Sequence, residues 1–136
     1  MSEKEFNELK QTLDSIERIS SPIMQMNGFY QNRQSQEDYL NLDYVHDSCD
    51  FMGNIGVTYD EEESSSDNRL FRFYYLKAYD SIGERHYKKG RLGKLYTIEE
   101  VEGNYISLFQ ECLSLYNALN KEDLTDKVVL KRTGKS

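Results

Sequence analysis

The feature that most constrains the fold of this chain is a long apolar repeat in its C-terminal third. The apolar residues recur every three or four positions, which is the spacing of an α-helix. They are Ile98, Val101, Tyr105, Leu108, Cys112, Leu115 and Leu119. Thr97 and Glu100 have the spacing of a capping box, so we predict a helix over 98–120, with a break at Gly103 as the alternative. Further apolar residues widen the apolar arc to about half the circumference, and such a helix needs both a sheet and another helix as neighbours.

The middle of the chain indicates that sheet. Residues 70–79 are rich in aromatic residues, and their apolar side chains on both faces predict a central strand. Shorter alternating stretches predict strands at 55–59 and 84–89. The segment 60–68, DEEESSSDN, lies between the first two strands and is too polar to be buried. We interpret it as a flexible acidic loop.

Two more helices are predicted in the N-terminal half. A capping-box pattern begins a helix over 3–19, and Ser20-Ser21-Pro22 is expected to end it, because proline disfavours helical geometry in the preceding residue. A second helix is predicted over 36–52. Apolar residues recur there at helical spacing over fourteen residues, whereas the strand-like alternation from Leu40 to His46 holds over only seven.

These elements predict an α+β fold, in which a small antiparallel sheet of about three strands is packed by two or three helices, the last of them long. The chain has 136 residues, so we expect a single domain over 1–136. Residues 128–130 are interpreted as a short edge strand, and 131–136 as a disordered tail.

The composition favours a location inside the cell. No apolar run approaches the ~20 residues that a membrane span needs. The first ten residues are charged and lack the apolar core of a signal peptide. We therefore expect a cytoplasmic protein that does not contact membranes. Cys49 and Cys112 both fall on apolar positions of predicted helices and are expected to be buried free thiols.

Charge is segregated along the sequence. Residues 37–67 hold ten acidic residues and no Lys or Arg, whereas residues 69–94 hold eight basic residues and two acidic ones. The acidic residues fall into two groups: Asp43, Asp47 and Asp50 on the predicted second helix, and Asp60, Glu61, Glu62 and Glu63 in the loop. Rows of carboxylates can imitate the phosphates of a nucleic acid, and they attract a basic partner over long range. The helical row is expected to be the more rigid of the two.

The basic residues suggest a different partner. Between 85 and 94, basic side chains flank Tyr87, and Tyr96 follows the stretch; this combination can follow a phosphate backbone and stack on a base. These basic residues are Arg85, Lys88, Lys89, Arg91 and Lys94. The alternative is that they only balance the acidic segment within the molecule. Because the whole chain carries a net charge of −7, nucleic acid would be bound through one face only.

Two aromatic residues are candidate contacts for a partner protein. Tyr44 and Phe51 lie on a second apolar stripe of the predicted helix over 36–52, on the side opposite the first stripe. Exposed aromatic residues in such positions are typical anchors of an interface. We therefore add them to the partner-binding residues, and a homodimer is a further expectation.

Catalytic signals are weak. His46 and Asp50 are four residues apart, the spacing of a two-ligand metal site on a helix, but a third and a fourth ligand are not evident. The segment Gly90-Arg91-Leu92-Gly93-Lys94 lacks the glycine spacing of a phosphate-binding loop. We expect no catalytic residue, no metal and no cofactor.

The function predicted from the sequence is that of a non-enzymatic acidic protein that binds and inhibits a basic protein, one that handles nucleic acid. Inhibitors carried by phages or mobile elements, including anti-CRISPR proteins that mimic DNA, are often small and acidic. Three alternatives stay open. They are a nucleic-acid-binding module that uses the hairpin at 85–94, a toxin-immunity protein, and a small metal-dependent enzyme centred on His46 and Asp50.

Overall fold

The computed structural model describes residues 1–32 and 39–131. In this part of the chain it contains two α-helices, seven strands and a 3₁₀ turn. In chain order they are α1 (Glu3–Met26), β1 (Phe29–Gln31), β2 (Asn41–Asp47), β3 (Met52–Tyr59), β4 (Leu70–Ser81), β5 (Glu84–Arg91), β6 (Tyr96–Thr97), α2 (Ile98–Ala118), the 3₁₀ turn (Lys121–Asp123) and β7 (Asp126–Val129).

The described strands form one antiparallel sheet in the order β1-β2-β3-β4-β5-β7, and the short β6 pairs with one end of β4. Strands β2 to β5 form a meander in which each strand pairs with the next along the chain. Gly83 joins β4 to β5 with a φ of 75°, a conformation that glycine adopts without steric cost. Strand β7 extends the sheet beside β5.

Both helices pack on the same face of this sheet. Helix α1 contacts β1, β2 and α2, while α2 lies mainly on β4 and also contacts β6 and β3. Alternate strand residues point toward the helices and form a core with the apolar sides of both. The largest fully buried side chains include Met24, Phe29, Tyr44, Ile55, Val57, Phe71, Phe73, Val101 and Phe109. No described helix covers the opposite face, which we call the open face.

A buried lysine on the sheet donates hydrogen bonds to the end of α2. Lys77 of β4 is only 6% exposed. Its ammonium group donates hydrogen bonds to the carbonyl oxygens of Tyr116 at 3.3 Å and Leu119 at 2.8 Å. These carbonyls lie at the C-terminal end of α2, where a positive charge is favourable. Burial lowers the pKa of Lys77, and the ring of Phe51 lies 4.3 Å from its ammonium nitrogen.

Several sequence-based predictions agree with these elements. Helix α2 runs without interruption through Gly103, so the alternative of a break there is wrong. Residues 70–79 belong to β4, a central strand between β3 and β5. The strands predicted at 55–59 and 84–89 belong to β3 and β5, which extend further than predicted. The expected C-terminal edge strand is present as β7.

The predicted size of the sheet is wrong, and so is the predicted helix over 36–52. The described residues contain seven strands rather than about three, while their two α-helices fall within the predicted two or three. Where the second helix was predicted, 41–47 is β2 and Met52 begins β3, and β1 and β6 are two further strands that the sequence patterns did not indicate. Leu42 and Tyr44 alternate with open-face residues, and both are buried against the helices. Residues 36–38 lie outside the described residues.

Helix α1 ends later than predicted and continues through Pro22 to Met26. Two features explain this extension. Met24 is fully buried in the core, and Ser20 and Ser21 hydrogen-bond with the hydroxyl group of Tyr44 at 2.5 and 3.2 Å. These tertiary contacts outweigh the cost of one missing backbone hydrogen bond at proline.

Other expectations have mixed outcomes. Cys112 is buried, but Cys49 is exposed in the turn between β2 and β3. The loop over 60–68 contains hydrogen-bonded turns, including a Ser65–Asn68 bridge, and its flexibility stays a prediction. Of the predicted tail at 131–136, residues 132–136 lie outside the described residues.

Candidate functional site

The acidic residues predicted to share one helix face are separated in the structure. Asp43, Asp47 and Asp50 lie on β2 and in the turn that follows it. Asp43 is 7% exposed on the open face, while Asp47 and Asp50 are exposed near the end of the strand. The rigid helical row of carboxylates is therefore wrong, because the segment that carries it is a strand.

Asp60 shapes the β3–β4 loop. Its carboxylate accepts hydrogen bonds from Arg72 Nε at 3.0 Å and Nη2 at 2.9 Å, and from the backbone N–H of Glu63 at 2.9 Å. The Glu63 N–H and the Arg72 guanidinium lower the pKa of Asp60. Glu61, Glu62 and Glu63 are exposed beyond this anchored residue. Asp60 therefore anchors the start of the loop, and the three glutamates that follow it present its charge.

The loop meets the first turns of both helices at one end of the molecule. A hollow of about 370 Å³ lies between them and is lined by Glu8, Asp67 and Glu99 among other residues. Arg69 also lines this hollow, but Glu5 pairs with it at 2.6 Å. We call the exposed carboxylates of this region the acidic end; they are Glu8, Glu61, Glu62, Glu63, Asp67 and Glu99.

In the part of the chain that the structure describes, the acidic end lacks cationic partners. Within residues 1–32 and 39–131, no Lys or Arg nitrogen lies within 4.0 Å of any of its six carboxylates. Sequence reasoning identified the loop glutamates but missed Glu8 and Glu99. The two capping boxes were the available signal, because they mark where both helices begin. Only the sheet topology brings those two starts beside the loop.

A second candidate site is a groove of about 600 Å³ on the open face. Tyr74 of β4 crosses Gly56 of β3, and its hydroxyl group donates a 2.5 Å hydrogen bond to Asp43 Oδ1 on β2. The side-chain amides of Asn32 and Asn54 donate to Asp43 Oδ2 at 3.0 and 2.8 Å. Burial and the adjacent Asp43 carboxylate raise the pKa of Tyr74.

The basic residues predicted over 85–94 do not form a single patch. Lys89 and Arg91 point to the open face beside Leu76 and Tyr74 of β4 and line the groove, whereas Lys88 points to the opposite face. The other two are neutralised within the molecule. Arg85 pairs with Asp80 at 2.7 Å, and Lys94 pairs with Glu100 at 2.6 Å. Both partners, Asp80 and Glu100, lie outside residues 37–67, so neither pair is the predicted balance of the acidic segment.

The predicted aromatic anchors are packed within the protein. Tyr44 is fully buried, and its hydroxyl group faces Ser20 and Ser21 of α1. Its predicted exposure is wrong, because β2 turns it toward the helices. Phe51 is half-buried and packs edge-to-face on Tyr79 with ring centroids 6.5 Å apart. These contacts remove the argument for Tyr44 as an anchor of a homodimer.

His46 and Asp50 do not form the predicted two-ligand site, because they do not share a helix. His46 faces α2, where its Nδ1 lies 2.7 Å from the Tyr116 hydroxyl oxygen. Burial and the nearby positive charge of Lys77 lower the pKa of His46. Asp50 is exposed in the β2–β3 turn. Among the described residues, no group of three or more His, Cys, Asp or Glu side chains is placed to hold a metal ion.

Comparison with known protein families, curated proteins and solved structures finds no match to this chain. Neither described helix is long and apolar enough to cross a membrane. The acidic end and the groove of the open face are therefore interpreted from their geometry and charge alone.

Proposed function

We propose that this protein is a non-enzymatic acidic interaction protein of the cytoplasm that binds and inhibits a basic partner through its acidic end. The observation that carries this proposal is the convergence of six exposed carboxylates without a cation within 4.0 Å in the described residues. A concentrated negative potential raises the association rate with a basic surface and disfavours acidic partners.

The way in which these carboxylates are held also supports binding. Glu8 and Glu99 lie near the beginnings of α1 and α2, whose backbones are fixed by capping hydrogen bonds. The loop between them is anchored by the Asp60–Arg72 pair. Carboxylates on an ordered backbone lose less conformational entropy when a partner binds. A partner that normally holds nucleic acid would present cations to them at the spacing of phosphates.

The decisive experiment uses the triple variant Glu61→Ser, Glu62→Ser, Glu63→Ser. Tagged wild-type protein is used to isolate a partner from the native host, and the affinity of each variant for the purified partner is then measured by calorimetry. We expect the triple variant to bind at least about ten-fold more weakly at low salt, with a smaller dependence on salt concentration. Added DNA should compete with the wild-type protein for the partner.

A matched control removes charge from the other end of β3. The variant Asp47→Asn, Asp50→Asn loses two exposed carboxylates that lie about 26 Å away from the loop, since β3 has eight residues. It should bind the partner about as well as the wild-type protein. Equal affinities of the triple variant and the wild-type protein would refute the proposed interface. A partner whose activity is unchanged in the complex would refute inhibition.

A toxin-immunity protein is one form of the same proposal, since it would cover a basic toxin with the same carboxylates. A different second candidate is nucleic-acid binding by the open face. It is favoured by the position of Lys89 and Arg91, which line one groove together with Tyr74.

A further inference from the structure

We propose that the groove of the open face is a nucleotide-binding site, with the phosphate on Lys89 and Arg91 and the base beside Asn41. This proposal does not depend on the acidic end, which lies in a different part of the molecule. The groove has a volume of about 600 Å³, within the range of cavities that hold small organic ligands. It crosses the sheet from β2 to β5, because Asn41 and Arg91 both line it.

The cationic side of the groove fits a phosphate. Lys89 and Arg91 are exposed on neighbouring open-face positions of β5, and within the described residues no carboxylate lies within 4.0 Å of either. Arg72 also lines the groove, but Asp60 occupies its guanidinium group. The planar guanidinium of arginine binds phosphate oxygens in pairs, and lysine adds a point charge.

The opposite side of the groove offers hydrogen-bond acceptors. The side-chain oxygen of Asn41 is buried, and none of the residues that the structure describes donates a hydrogen bond to it. Asp43 lies beside it, with a carboxylate that contributes acceptor oxygens only. A buried acceptor without a donor is costly, so a ligand N–H group that meets this oxygen once the Asn41 amide rotates toward the groove gains free energy. The exocyclic amino groups of adenine, cytosine and guanine supply such a donor at the edge of the base, whereas uracil has no amino group and offers only its ring N3–H.

The floor of the groove is fixed before any ligand binds. Three hydrogen bonds from described residues hold the Asp43 carboxylate, and the longest of them is 3.0 Å. Tyr74 and Leu76 supply aromatic and apolar surface between the cationic and acceptor sides. Such a combination of apolar walls with a few fixed polar groups is typical of sites for small ligands. It suits the flat apolar faces of a base.

The test is calorimetric titration of the full chain with AMP, UMP, adenosine and inorganic phosphate. We expect AMP to bind most tightly, UMP more weakly because it lacks the amino group, and adenosine and phosphate each more weakly than AMP. The double variant Lys89→Ala, Arg91→Ala should bind AMP at least about ten-fold more weakly. Asn41→Leu should reduce the preference for AMP over UMP.

Lys88→Ala is the matched control, because it removes an exposed lysine from the same strand but from the opposite face. It should change AMP affinity by less than about two-fold. Circular dichroism and urea unfolding of each variant separate lost binding from lost folding. A folded double variant with unchanged AMP affinity would overturn the proposal, and so would a wild-type protein that binds no AMP. Inorganic phosphate binding as tightly as AMP would indicate an adventitious anion only, and would also overturn it.

The same titration distinguishes two sources of the nucleotide. A short single-stranded oligoadenylate that binds more tightly than AMP would support a nucleic-acid strand as the natural ligand, and equal affinities would support a free nucleotide. The triple glutamate variant of the acidic end should retain AMP binding. A result that refutes nucleotide binding by the groove is therefore distinct from a result that refutes partner binding by the acidic end.

Discussion

At the scale of single residues, the open face depends on the missing side chain of Gly56. A Cβ atom there would lie 2.5 Å from the Tyr74 hydroxyl oxygen and 2.6 Å from the carbonyl oxygen of Leu42. The first contact would displace Tyr74 from Asp43, and the second is with backbone that cannot easily move. Glycine at this position therefore permits both the Tyr74–Asp43 hydrogen bond in the groove and the close approach of β2 to β3 in the sheet.

We predict that Gly56→Ala lowers the free energy of unfolding by about 1–3 kcal/mol through overpacking. Gly103→Ala is the control, because the same substitution there is expected to change stability in the opposite direction. It lies within α2, where no side chain or distant backbone of the described residues lies within 4 Å of the new Cβ atom, so helix propensity should raise the free energy of unfolding by up to about 1 kcal/mol. Urea unfolding followed by circular dichroism measures both. A Gly56→Ala protein as stable as the wild type would contradict this account of the groove.

At the scale of elements, the last turns of α1 depend on a contact with β2. The Tyr44 hydroxyl group lies within 2.5 Å of the Ser20 hydroxyl oxygen and 3.2 Å of the Ser21 hydroxyl oxygen. Burial raises the pKa of Tyr44. The hydroxyl group therefore remains neutral and joins helix to strand within the core.

Tyr44→Phe should lower the free energy of unfolding by about 1–2 kcal/mol, because buried hydrogen-bonding groups lose a partner. Tyr30→Phe tests the same chemical change at an exposed position. Tyr30 is 57% exposed on β1, and its substitution should change stability by less than about 0.5 kcal/mol. Thermal unfolding of the two variants gives the comparison. Equal stabilities would mean that the hydroxyl contact does not hold the end of α1.

The elements also show how far a sequence constrains this fold. Helix α2 and strand β4 were predictable, because their apolar patterns continue over many residues and fit one period only. Residues 41–47 fit two periods at once. The longer helical period was misleading, since it continued across the β2–β3 turn into a separate strand. The alternation of Leu42, Tyr44 and His46 was the correct signal, and it reflects burial of one face of a strand.

The candidate sites were less predictable than the elements. The loop glutamates were evident from composition, but Glu8 and Glu99 join them only because both helices begin beside the loop. In the groove, Asp43, Tyr74 and Arg91 come from three strands whose register no local pattern specifies. Contacts across a sheet depend on pairing between distant segments, and sequence periodicity does not report such pairing.

At the scale of the whole molecule, stability should fall as the solution is acidified. The pKa of His46 is lowered below 6.5, so the unfolded chain takes up a proton there before the folded protein does. Stability is therefore complete above pH 6.5 and is lost as the pH falls toward the lowered pKa. The pKa of Asp60 is lowered from 3.8, so a second loss of stability follows as the pH falls below 3.8.

Urea unfolding at a series of pH values measures this profile. The variant His46→Gln should abolish the loss of stability that begins near pH 6.5, because glutamine does not titrate. It should keep the loss of stability at lower pH, which is assigned to Asp60. His86→Gln is the control for the other histidine and should leave the His46 step in place. If the wild-type protein and His46→Gln lose stability in parallel between neutral pH and the carboxylate range, the assignment to His46 is wrong.

The meander of β2 to β5 has a consequence for how the chain folds. Each of its strands pairs with its neighbour in sequence, so the first contacts close short loops and cost little chain entropy. Strand β7 differs, because it pairs with β5 although the whole of α2 lies between these two strands in the sequence. We therefore expect the meander to contain the folding nucleus and β7 to dock late. Until β7 docks, one side of β5 has unpaired backbone groups, and this is the stage at which the chain is most exposed to pairing with another copy of itself.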